Sequence, residues 1–185
     1  MINLKLVGIV AAIGLLAGCT SNIEKLRTAE GTGSPFTRAL TEEYRQLTIF
    51  EADEMFDWTD AGYFARKGLA AAGGEVVLPE ELGAWNLPDD KIDELGTARS
   101  RLVSLLDNGA RDRVPELAAR AQGRFDCWVE QQEENHQPDH IAACKDEFFK
   151  TLGDLEAAMG EQPMAATEPM MAPETYLVLF DFDKS

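Results

Sequence analysis

From Ser34 to Leu155, apolar side chains recur at helical spacing, and the runs are cut by Gly-Gly, Leu-Pro, Asn-Gly and Gln-Pro pairs. A 3.6-residue period buries one stripe per helix, so such a chain folds by packing stripe against stripe. Ser34-Pro35 is a helix start, a serine cap followed by proline at the first helical position. Phe36, Leu40, Tyr44 and Leu47 form the first stripe, which continues at Phe50 or Glu51 and is extended by Met55 and Phe56. Asp57 or Thr59 caps a second helix carrying Tyr63, Phe64 and Leu69, which stops at Gly73-Gly74. Residues 75–85 read as a connection with a short extended piece at Val76-Val77-Leu78. Leu87-Pro88-Asp89-Asp90 opens a third helix with Ile92, Leu95, Leu102, Leu105 and Leu106 inward, closed by Asn108-Gly109. A fourth, from near Asp112 with Pro115 in its first turn, turns Leu117, Ala121, Phe125, Trp128 and Val129 inward. A fifth, from near Asp139, buries Ile141, Phe148, Leu152 and Leu155. The expected fold is mainly α, an antiparallel bundle of four or five helices over residues 34–159, with a stack of helix pairs as the alternative. The aromatic residues on these faces are expected to pack the core; lining a ligand groove is the alternative.

The 185 residues carry 17 basic and 33 acidic side chains, a net charge of −16. Such a chain is repelled by nucleic acid and by anionic headgroups, which argues against both as partners. Glu130, Glu133 and Glu134 read as a solvated helix face. No serine has a histidine and an orienting acid in a recognisable motif, and Gly31-Thr32-Gly33 is too short for a phosphate loop. The chain is expected not to be an enzyme, and no cofactor is implied.

Cys127 and Cys144 lie almost equally far from a polar turn centred near Asn135-His136, at the same height on the two arms of a helical hairpin. In an oxidising compartment such a pair normally forms a disulfide. The alternatives are two free thiols, or zinc held by His136, His140, Cys144 and Cys127. Against zinc, Pro138 interrupts the helix between the histidines and the spacing matches no familiar finger; no metal site is expected.

The N-terminus reads as an address. After Met1 to Lys5, residues 6–17 are apolar or glycine throughout, too short a run to span a bilayer comfortably. The run ends in Leu16-Ala17-Gly18-Cys19, which resembles the lipobox of bacterial lipoproteins. The resemblance implies that residues 1–18 are a signal peptide, cut before Cys19, and that Cys19 carries acyl chains that hold the chain stably on a membrane. Thr20 after the cysteine implies sorting to the outer membrane, facing the periplasm. Residues 19–33 read as a polar, lipidated tether.

At the other end, residues 160–175 have the proline, methionine and alanine composition of a linker. Tyr176-Leu177-Val178-Leu179-Phe180-Asp181-Phe182-Asp183-Lys184-Ser185 then has strand propensity. The string resembles the first strand of the OmpA-like peptidoglycan-binding domain of envelope proteins. On this reading residues 176–185 are an orphan strand opening an incomplete domain. The family's wall-gripping aspartate and arginine belong to later segments, so no peptidoglycan-binding residue is expected within this chain. The resemblance implies a lipid-anchored link between outer membrane and peptidoglycan when that domain is complete. The alternative is a lipid-anchored helical adaptor for an envelope protein partner.

Overall fold

The computed structural model describes residues 22–160, which are mainly helical. A short helix α1 spans residues 22–28. It is followed by α2 (Pro35–Ile49), α3 (Trp58–Ala72), α4 (Asp89–Leu105), a single turn α5 (Arg111–Arg113), α6 (Pro115–Glu134) and α7 (Pro138–Gly160). The α2–α3 and α6–α7 hairpins pack side by side through α2 and α6, and α4 lies across α6 and α7. No strand occurs among the described residues, and no helix among them is long and apolar enough to cross a membrane. Val76-Val77-Leu78 is irregular chain, and the strand expected at residues 176–185 lies outside the described residues.

The caps are those the sequence specifies. Ser34 Oγ accepts from the Thr37 amide, Asp57 Oδ1 accepts from Thr59 and Asp60, and Pro35 and Pro115 occupy first turns. Gly109, at φ 95°, makes the kink between α4 and α5. The stripes meet in one core that includes Phe36, Leu40, Tyr44, Phe64, Leu95, Leu102, Phe125, Trp128, Phe148 and Leu152. Ile92 departs from expectation and is exposed. It sits in the first turn of α4, beyond the face that Leu95, Ala98 and Leu102 bury.

Two further departures matter more. The segment expected to be tether contains α1, whose Ile23 and Leu26 are fully buried in a second cluster with Ala52, Ala61 and Ala65. Arg45 closes α1 by donating to the carbonyls of Leu26, at 2.9 Å, and Ala29. The second departure is at the end of α2, which widens into a π-helical turn, Phe50–Met55. A π turn carries an extra residue and so rotates everything after it. Glu51, four residues after Leu47, still continues the α2 stripe inward, but Phe56, expected on the apolar face, follows the turn and is 72% exposed.

The connection from α3 to α4 is held down by a buried polar node. Asp126 Oδ2 accepts from Tyr44 Oη at 2.7 Å and Lys67 Nζ at 2.9 Å, and its Oδ1 accepts from the Glu80 amide at 2.9 Å. The Glu80 carboxylate accepts from Tyr63 Oη at 2.8 Å, from Trp85 Nε1 at 2.9 Å and from Lys67. Gln122 Nε2 ties Val77 O, at 3.0 Å, to the same layer. Burial works against the Lys67 charge, but Asp126 and Glu80 outweigh it and hold its pKa above the ordinary lysine value. Lys67→Met should leave two buried carboxylates uncompensated and lower stability by about 3–5 kcal/mol, read as a fall in the urea midpoint at unchanged slope.

Candidate functional site

Cys19 lies outside the described residues, whereas Cys127 and Cys144 form the expected disulfide between α6 and α7, with S–S 2.04 Å and Cα–Cα 5.7 Å. His136 is exposed in the hairpin turn, and His140 meets the Phe50 ring edge to face, with centroids 5.4 Å apart. Among the described residues no group of three or more histidine, cysteine, aspartate or glutamate side chains is placed to hold a metal ion. A partly open groove of about 280 Å³ runs beside the disulfide, lined by Leu47, Phe50, Cys127, His140 and Ala143 among others. Its charged rim is already paired: Arg124 reaches Glu43 at 3.0 Å and Glu147 at 3.1 Å. Of the aromatic residues, Phe36, Tyr44, Phe64, Phe125, Trp128 and Phe148 are fully buried in the core, and Phe50 borders the groove.

The unusual chemistry lies where the π turn meets the end of α6. Glu130, expected on a solvated face, is fully buried, as is Glu51. The correction has a plain cause: α6 is clasped between α2 and α7, so its last turns are covered on most sides, and Gln131 and Gln132 are buried too. Gln131 Nε2 donates to Glu130 Oε2 at 2.9 Å and lies 3.5 Å from Glu51 Oε1. Glu51 Oε2, Glu130 Oε1 and Gln131 Oε1 have no partner, and among the described residues neither glutamate pairs with a basic side chain.

Two buried carboxyls side by side cannot both ionise at neutral pH, so they hold protons. Burial, then the charges of Glu134 and Asp60, pushes Glu51 from the ordinary 4.5 up to about 8. Burial, then Glu51, pushes Glu130 up to about 10. Half-buried Asp60, beside Asp57, Glu133 and Glu134, is pushed up to about 6 by burial and those charges. Sequence reasoning missed this cluster because an acidic chain makes every carboxylate look like surface. The one available signal was Glu51 falling four residues after Leu47 on the α2 stripe.

The exposed surface at this end is the α2–α3 connection. Phe56 adopts the left-handed region at φ 59°, and Trp58 is 44% exposed. Arg27 of α1 meets Asp53 of the π turn through two bonds, at 2.9 and 2.6 Å. Comparison with protein-family models, curated proteins and solved structures returned no match for this chain.

The carboxyl cluster fixes a pH dependence. All three groups bind protons more tightly folded than unfolded, so their stabilisation is complete below about pH 4 and is lost as pH rises through about 6, 8 and 10. The melting temperature should fall between pH 5 and pH 9. Glu130→Gln, which keeps the shape and removes the titration, should flatten that fall and raise the melting temperature at pH 9. A profile as steep in the variant as in the parent would show that Glu130 does not titrate there.

Proposed function

We propose that the chain is a lipid-anchored protein of the bacterial cell envelope. Lipid on Cys19 holds it to the outer membrane with its helical domain in the periplasm. Joined to a complete OmpA-like domain, of which residues 176–185 are the first strand, it links that membrane to peptidoglycan. The observation that carries this reading is the charge-free run of residues 6–17 ending in Leu16-Ala17-Gly18-Cys19. The Cys127–Cys144 disulfide supports it, since such bonds persist in the periplasm and are rare in the cytosol.

The second reading, an adaptor that binds an envelope protein and not the wall, draws on the groove beside the disulfide. It is large enough to take an apolar side chain and is not filled from within the described fold.

One measurement tests the anchor that both readings share, and a second tests the link to the wall. Wild-type protein should take up labelled palmitate and fractionate with membranes, and Cys19→Ser should do neither; equal labelling of the variant would remove the anchor. The 185-residue form should not sediment with purified peptidoglycan, whereas a form continued through a complete OmpA-like domain should. Sedimentation of the short form would move wall recognition into the helical domain.

A further inference from the structure

The described fold begins at Asn22, and this constrains where anything attached to Cys19 must lie. Three Cα–Cα steps separate the two residues, a reach of at most about 11 Å. Whatever holds Cys19 therefore holds the start of α1 close by.

The direction of α1 decides which end of the bundle that is. The chain that leaves its far end runs to the end of α3, where Thr32 donates to Ala72 O at 2.9 Å. Leu26 lies against Gly68, where an added Cβ would come within 2.5 Å of its side chain. Ile23, one turn earlier, shares a cluster with Ala52 and Ala61, and Arg27 grips Asp53 of the π turn. Going backwards along α1, the chain thus travels from Ala72 past Gly68 towards Ala61, and its first residue faces the α2–α3 connection.

That connection carries Phe56 and Trp58, 72% and 44% exposed. A bulky residue in the left-handed region is strained, and asparagine or glycine would make this turn more easily. Phe56 gains no packing in return, since its ring stands in solvent. The exposed Val76 and Leu78 are aliphatic and follow the other end of α3. Tryptophan, by contrast, concentrates at the headgroup level of membranes, where its ring is apolar with one N–H, and phenylalanine serves beside it as the apolar side chain buried at the headgroup/acyl boundary.

Resting on the anchor reading above, we propose that the α2–α3 connection is a membrane-seating face. Phe56 and Trp58 enter the headgroup boundary of the leaflet that holds the lipid on Cys19, so the domain sits on the membrane by one defined end. The neighbouring side chains set the preferred lipid. Glu54, Asp57 and Asp60 share this end, and Asp53 is neutralised by Arg27. Such a rim favours zwitterionic over anionic headgroups.

The test uses the full lipidated protein in phosphatidylcholine vesicles whose acyl chains carry bromine near the headgroup, a contact quencher of tryptophan. Palmitate on Cys19 is verified by mass spectrometry on the same sample. Wild-type emission should be quenched at least about twofold more than that of Trp58→Phe, because Trp128 is buried in the core and Trp85 is held in the Glu80 node. Phe56→Ser should weaken the quenching, and phosphatidylglycerol added at low salt should weaken it further. Equal quenching in wild type and Trp58→Phe, with palmitate present, would overturn the seating face and leave the anchor standing. Absence of palmitate would overturn the anchor and this proposal with it.

Discussion

The Asp126 carboxylate is fully buried, and the bundle is assembled around that constraint. A charge in that position must find its partners inside the fold, and they come from three other segments: Tyr44 of α2, Lys67 of α3 and the Glu80 amide of the connection to α4. The node therefore does more than compensate a charge. It fixes α2, α3 and α6 at one height and holds residues 77–85, whose only regular piece is a 3-10 turn at Leu82–Ala84, against the core. Arg99 of α4 extends the arrangement by donating to Glu80 O at 2.7 Å. Taking out Lys67 converts a satisfied network into buried charge, which is why one substitution there should act on the whole fold.

The opposite treatment of charge is found where the π turn meets the end of α6. Among the described residues Glu51 and Glu130 have no cation, and they are tolerated by keeping their protons. One end of the fold thus meets burial by pairing and the other by neutralisation. Glu51 is carried inside by the α2 stripe itself, four residues after Leu47, whereas the π turn that follows shifts the register and leaves Phe56 outside.

The parts of this fold written in local pattern were legible in the sequence. Ser34-Pro35, Asp57, Gly73-Gly74 and Asn108-Gly109 mark helix ends by chemistry that acts within a few residues. The stripe residues from Phe36 to Leu155 needed only the helical period. The disulfide was legible because Cys127 and Cys144 sit symmetrically about a polar turn. What was not legible depends on contacts between distant segments. Helix α1 has one turn of apolar residues, Ile23 and Leu26, and is held by Arg45 and Asp53, which lie far along the chain. Lys67 and Asp126 are 59 residues apart, and each reads as surface until it is paired. Phe56 was placed inside because an unbroken α period was carried through a turn that is not α.

The functional reading depends most on where the folded domain starts. If α1 is part of the fold, a lipid on Cys19 sets the bundle against the membrane by the α2–α3 end; if residues 22–28 are free chain, the anchor is a leash and sets nothing. Amide hydrogen exchange on the full protein decides between them. The expected result is that residues 26–28, whose amides bond back within α1, exchange far more slowly than free peptide, and that Arg45→Ala removes this protection while α2 and α6 keep theirs. Exchange of residues 26–28 at the free-peptide rate in the parent protein would contradict it.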